Sequence, residues 1–209
     1  MLAITEYANE VRTTAQPARG STDAALIEAV AGGDRGAMQA LYARHHVRVY
    51  RFLLRLTNDA SLAEELVSDV FFAVWRNAAS FSGKSEPSTW MLAIARHKAF
   101  SALKRRPHER LTDEMANAIV DPADGAQAMI ERDDRSAAIQ ACLARLSPDH
   151  REVIDLVYYH DKSVEEVAEI TGVPRSTVKT RMFYARKCLA KLLAASGCVD
   201  EVAASHMVH

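Results

Sequence analysis

Cysteine is scarce: among 209 residues there are only Cys142, Cys188 and Cys198. Their number is odd and no two are spaced C-x-x-C. That argues against a disulfide framework and a zinc site, and fits a reducing cytoplasm. The eight histidines form no H-x-x-x-H or H-E-x-x-H pattern. His45 and His46 are neighbours, so on a helix they point in different directions, and no metal or other cofactor is expected. No apolar run approaches the roughly 18 residues that suggest a membrane span. The opening MLAITEYANEVRTTAQPARG lacks the lysine- or arginine-led apolar core of a secretory signal. Sustained period-two alternation is missing too, which speaks against a sheet. No phosphate loop, nucleophile–base arrangement or paired acidic site stands out, so the chain is not expected to be an enzyme. Net charge is −1, so any affinity for nucleic acid must come from local basic patches balanced by acid elsewhere.

What remains is the composition of a soluble globular protein, 49% apolar and 25% charged. Residues 1–21 lack helical periodicity and are expected to form a mobile tail. From Asp23 helix follows helix. Asp34 can cap a segment in which Met38, Leu41, Tyr42, Val49, Phe52, Leu53 and Leu56 recur at helical spacing. Ser61 and Glu64 form a capping-box signature for a helix through Trp75. Gly83 to Pro87 interrupts, Ser88 is expected to cap the next helix, and Pro107 to end it. Residues 107–129 have linker composition, although Leu111, Met115 and Ile119 could make a short helix. Helical pattern resumes near Ile130 and runs to Leu146, Ser147-Pro148 marks another start, and Ser163 with Glu166 gives a second capping box. The expected fold is all-α: two small helical domains, 22–106 and 130–193, joined by a flexible linker 107–129 and followed by a tail 194–209.

Three constellations carry chemistry. In SVEEVAEITGVPRSTVKTRMFYARKCL, residues 163–189, a helix, a turn at Gly172 and a second, basic helix form a helix-turn-helix. Such a pair suits the DNA major groove, which admits one helix. Gly172 is expected to take positive φ. Val178, Met182, Ala185 and Leu189 share one face of the second helix, while Ser176, Lys179, Thr180, Phe183 and Lys187 lie largely opposite. Arg175, Ser176 and Thr177 sit at its start, where backbone N–H groups attract phosphate. In AEELVSDVFFAVWR, residues 63–76, Ala63, Leu66, Val67, Val70, Phe71 and Val74 make a core face. Its other side carries Glu65, Ser68, Asp69, Phe72 and Arg76, an acidic face with one large apolar group. That suits a protein partner with a basic, partly apolar surface, unless Phe72 belongs to a wider buried face. In FSGKSEPSTWMLAIARHKAFSALKRR, residues 81–106, a polar loop leads into a basic helix. This combination could meet phosphates and hold a base that has left the stack.

The order of these motifs, with LSPDHREVIDLVYYHDKSVEEVAEITGVPRSTVKTRMFYARKCLAKLL closing the series, resembles the extracytoplasmic-function sigma factors of bacteria over about residues 23–193. The resemblance implies two helical domains on a flexible linker, binding to core RNA polymerase, and direction of the polymerase to a subset of promoter DNA. Glu65, Ser68, Asp69, Phe72 and Arg76 would dock on the polymerase. Ser82, Lys84, Ser88, Thr89, Trp90, Arg96, Lys98, Lys104 and Arg105 would recognise and help open the minus-ten element. Arg175, Ser176, Thr177, Lys179, Thr180, Arg181 and Lys187 would read the minus-thirty-five element. The family is commonly held inactive by an anti-sigma factor. Two positions depart from its pattern: Pro174 stands where a small polar cap is frequent, and Tyr184 replaces a frequent basic residue. A conventional helix-turn-helix regulator with an N-terminal sensing domain, or a sigma mimic that sequesters an anti-sigma factor, are the other readings. The basic residues retained on both DNA surfaces weigh against mimicry.

Overall fold

A computed structural model describes residues 21–105, 139 and 141–196. The expected tails before residue 21 and after 196, the linker 107–129 and the helical start at Ile130 lie outside these described residues. Within them every regular element is helical and no strand occurs. The first unit contains α1 (Asp23–Ala31), α2 (Arg35–Thr57), α3 (Ala60–Asn77), a 3-10 turn (Ala78–Ser80) and α4 (Pro87–Arg105). The second unit enters through a helical stretch at 141–144 and continues with α5 (Pro148–Tyr158), α6 (Val164–Thr171) and α7 (Arg175–Ala195).

Local chemistry sets most of the helix ends. Asp34 accepts from the amides of Gly36 and Ala37 at 2.7 and 3.1 Å and opens α2 as expected. Asn58, in the left-handed region at φ 53°, closes that helix. Asp59 is then the one residue left before α3, and its carboxylate accepts from the Leu62 amide at 2.9 Å. Ser61 is therefore inside the helix and is not its cap; an aspartate placed two residues earlier takes the role first. A second correction concerns Ser88. Pro87, with φ already fixed near the helical value, begins α4, and the Ser88 hydroxyl turns instead towards Lys162. Ser147 caps α5 with proline at its first position, and Ser163 and Glu166 form the expected capping box on α6.

The apolar periodicities converge on one core. Val49, Phe52 and Leu53 of α2 meet Val70 and Val74 of α3 and Met91 and Leu92 of α4, and the same cluster continues into Val153, Leu156, Val167, Val178 and Ala185 of the second unit. A smaller cluster around Leu26, Ile27 and Val30 fixes α1 against α2. The two units touch: α5 lies on α2, and α6 lies on α4. This contact governs what the site residues can reach.

Candidate nucleic-acid interface

The turn between α6 and α7 forms as its residues dictate. Gly172 ends α6 in the left-handed conformation at φ 70° and its amide donates to the Ala168 carbonyl. Pro174 precedes α7 and supplies no side-chain cap. No side chain thus competes for the first amides of α7, at the end where the helix dipole favours phosphate. Val178, Met182, Ala185 and Leu189 are buried, whereas Arg175, Ser176, Lys179, Thr180, Phe183 and Lys187 are exposed and Thr177 is half-buried. Arg175 leans on Glu165 at 3.2 Å, a solvated pair that phosphate could replace. Arg181 differs from its expected placement. Its guanidinium turns to Asp149 of α5 at 2.8 Å and is mostly buried, because position 181 borders the core face at Met182.

On α3 the expected division is complete. Ala63, Leu66, Val67, Val70, Phe71 and Val74 are buried, and Glu65, Ser68, Asp69, Phe72 and Arg76 are all exposed. Phe72 leaves 60% of its surface in solvent, so it does not belong to a wider buried face. Arg76 lies 5.9 Å over its ring. Phe72 and Arg76 also line a groove against α4, whose far wall includes Trp90, Ile94 and Lys98. Lys98 reaches Asp69 at 3.6 Å across this groove. The expected docking set and part of the expected minus-ten set therefore share one continuous surface. Trp90 packs on Phe81, with ring centroids 5.2 Å apart. Ser82, Lys84, Lys104 and Arg105 are exposed at the two ends of this element.

Ser88, Thr89 and Arg96 are placed differently. They face the second unit. Thr89 is buried, and its hydroxyl donates to Glu166 Oε1 at 2.7 Å. The Lys162 ammonium donates to Ser88 Oγ, Thr89 Oγ1 and Glu166 Oε1 at 2.8, 2.8 and 2.7 Å. Burial works to raise the Glu166 carboxyl pKa. Hydrogen bonds from Lys162, from the Ser163 amide and hydroxyl and from Thr89 outweigh it and hold the value at about 2. Arg96 Nε donates to Glu152 Oε1 at 2.6 Å. Glu152 is fully buried, and burial pushes its carboxyl pKa up despite the guanidinium beside it. Further along the seam Arg55 meets Asp155 at 2.7 Å, and Arg48 donates to the His160 carbonyl at 3.0 Å.

Two features add to the sequence reading, in which Lys162 has no role and Phe183 and Tyr184 stand only singly. Lys162 looks in sequence like a solvated loop charge, yet it is buried at the centre of this seam. Phe183 and Tyr184 form an exposed edge-to-face pair, with ring centroids 5.3 Å apart, beside the basic residues of α7. The signal for Phe183 was its position one turn after Lys179 on the outward face.

Comparison with known proteins gives the same architecture. Sigma-70 region 2 matches residues 41–108 and sigma-70 region 4 matches residues 136–189. The ECF RNA polymerase sigma factor SigK of Mycobacterium bovis is 32% identical over 182 residues, covering 85% of this chain and 97% of its own. SigK of Mycobacterium ulcerans is 30% identical over 187 residues, covering 88% and 100%. Among solved structures, CnrH in complex with the cytosolic domain of CnrY has 25% identity and a TM-score of 0.62, covering 83% of this chain and 97% of that one. RpoE of Bartonella quintana, solved with the anti-sigma factor NepR, shares the fold with a TM-score of 0.62 at 24% identity, over 74% and 95% of the two chains. With a helix-turn-helix, region 2 and region 4 matches over most of its length and relatives that it spans almost end to end, the chain belongs to the extracytoplasmic-function sigma factors of the sigma-70 family.

Proposed function

We propose that this protein binds core RNA polymerase in the cytoplasm and directs it to a subset of promoters, acting as an initiation factor and not as an enzyme. The observation that carries the reading is the pairing of two exposed surfaces on one chain. The α3 face presents Glu65, Ser68, Asp69, Phe72 and Arg76 to a protein, and the uncapped start of α7 presents Arg175, Ser176, Lys179 and Thr180 to DNA. Residues 22–106 act as the region 2 domain and 130–193 as the region 4 domain, with 107–129 between them as the linker.

In this assignment α3 docks on the polymerase. The loop at Ser82 and Lys84, with Trp90, Lys98, Lys104 and Arg105 of α4, meets the minus-ten element. Ser88, Thr89 and Arg96 belong to the same assigned set, although in this structure they engage the second unit. Arg175, Ser176, Thr177, Lys179, Thr180 and Lys187 read the minus-thirty-five element, and Arg181 supports the helix from behind. An anti-sigma factor is the expected regulator, in keeping with the fold neighbour RpoE of Bartonella quintana, solved in complex with the anti-sigma factor NepR.

The discriminating experiment compares DNA binding with and without polymerase. A sigma factor should co-elute with core polymerase and protect promoter DNA only in that complex. Tight, specific protection of duplex by the protein alone, with no binding to core, would instead identify a conventional regulator.

A further inference from the structure

The helix-turn-helix offers DNA fewer free cations than its sequence suggests. Arg175, Lys179, Arg181, Arg186 and Lys187 all lie on α7. Arg181 is drawn back to Asp149 at 2.8 Å, and Arg186 is half-buried. Lys179 and Lys187 point outward. Arg175 meets Glu165 of α6 at 3.2 Å, with 67% and 53% of the two side chains exposed. An acid thus stands in solvent against a cation at the assigned reading face.

Glu165 is well placed for this contact. The Ser163–Glu166 capping box fixes the first turn of α6. Glu166, the other acid of that turn, is committed to Lys162, Ser163 and Thr89. Gly172 at φ 70° and Pro174 at φ −57° set where α7 begins. Both partners belong to the second unit, and their backbones are fixed on either side of the turn.

A guanidinium held in this way discriminates between acceptors. It carries five N–H donors in a planar fork, and Glu165 engages the fork at Nη1. A guanine O6/N7 edge is neutral and can accept from the remaining donors with the carboxylate in place. A phosphate at the same guanidinium brings a second negative charge beside Glu165, and like charges at that range repel. Phosphate can replace Glu165 only if the carboxylate swings clear. Duplex DNA presents phosphate at every step, whatever its sequence, so an unguarded Arg175 would favour any duplex. Anchoring does not need Arg175, because the uncapped first amides of α7 attract phosphate themselves.

We propose that Glu165 is a specificity-determining residue of this helix-turn-helix, holding Arg175 away from phosphate and reserving it for a guanine edge in the minus-thirty-five element. The proposal rests on the promoter-reading assignment of α7. Glu165 touches no base; it is a positioning residue that acts through Arg175.

The test uses the full chain bound to core polymerase and two duplexes, a mapped promoter and the same promoter with its minus-thirty-five element scrambled. Wild type should prefer the first, and Arg175→Ala should lose much of that preference. Glu165→Gln should lower the preference about fivefold, the low end of a bidentate arginine contact. Its affinity for the scrambled duplex should fall more steeply with salt, by about 0.9 in the log–log slope, as for one added phosphate contact. Glu165→Asp, which keeps the charge, should lie nearer to wild type. In the Arg175→Ala background, Glu165→Gln should change neither preference nor slope. An equal effect of Glu165→Gln with and without Arg175 would show general charge repulsion and overturn the proposal. So would a wild-type preference in Glu165→Gln, with the promoter-reading assignment intact as long as Arg175→Ala is impaired. A wild-type holoenzyme that does not distinguish the two duplexes would overturn the assignment itself, and the proposal with it.

Discussion

Single residues carry separable parts of the account. Gly172 holds φ 70°, and a Cβ added there would meet nothing within 4 Å. The cost of Gly172→Ala is therefore conformational alone, about 1–2 kcal/mol, and denaturant unfolding should read it as a lower midpoint with unchanged slope. Arg175 is exposed and, among the described residues, pairs with solvated Glu165, so Arg175→Ala should leave stability intact. It should lower promoter use by about 1–3 kcal/mol of DNA binding without altering affinity for core polymerase; parallel loss of both would remove Arg175 from the DNA surface. Glu166 gives a pH signature. Its folded carboxyl sits at about 2, below the ordinary 4.5, so its contribution is full above pH 4.5 and is lost as pH falls towards 2. Glu152 works the other way, since its raised pKa favours the folded form at low pH and subtracts as pH rises. Chemical denaturation of wild type and Glu166→Gln between pH 2 and 5 should show a shallower acid decline for the variant; parallel curves would deny Glu166 that role.

At the scale of elements, α3 makes the sharpest prediction. Its exposed face combines Glu65 and Asp69 with Phe72, and reversing charge by Asp69→Lys should weaken core polymerase binding about tenfold, or ~1.4 kcal/mol. Unchanged affinity in a titration would take α3 out of the interface. Helix positions were largely legible in the sequence because capping and periodicity are local. Asp34, Ser147, Ser163 and Gly172 each act within one turn of themselves. The misplaced starts at Ser61 and Ser88 come from competition over the same short range, where Asp59 and Pro87 stand earlier and suit the role better. The inward turn of Arg181 is also a border effect, since side-chain length and a carboxylate on α5 decide which way a residue beside the core face points.

At the scale of the whole molecule, local pattern stops being informative. Arg96 and Glu152 are 56 positions apart, and Arg55 and Asp155 are 100 apart. Each of these side chains resembles a solvated surface charge when its own helix is viewed alone. Only the placement of α6 on α4 and α5 on α2 brings them together. The helix-turn-helix, the exposed acidic face of α3 and the all-helical fold could be read from residue order, whereas the seam that occupies Ser88, Thr89 and Arg96 could not. Under the proposed function, promoter reading belongs to the complex of this protein with core polymerase. Transcription from a genomic fragment library, with purified core polymerase and this protein as the only added factor, tests that claim most directly. Start sites should cluster downstream of one shared pair of minus-thirty-five and minus-ten sequences and vanish when the protein is omitted. Starts that are identical with and without the protein would contradict the account.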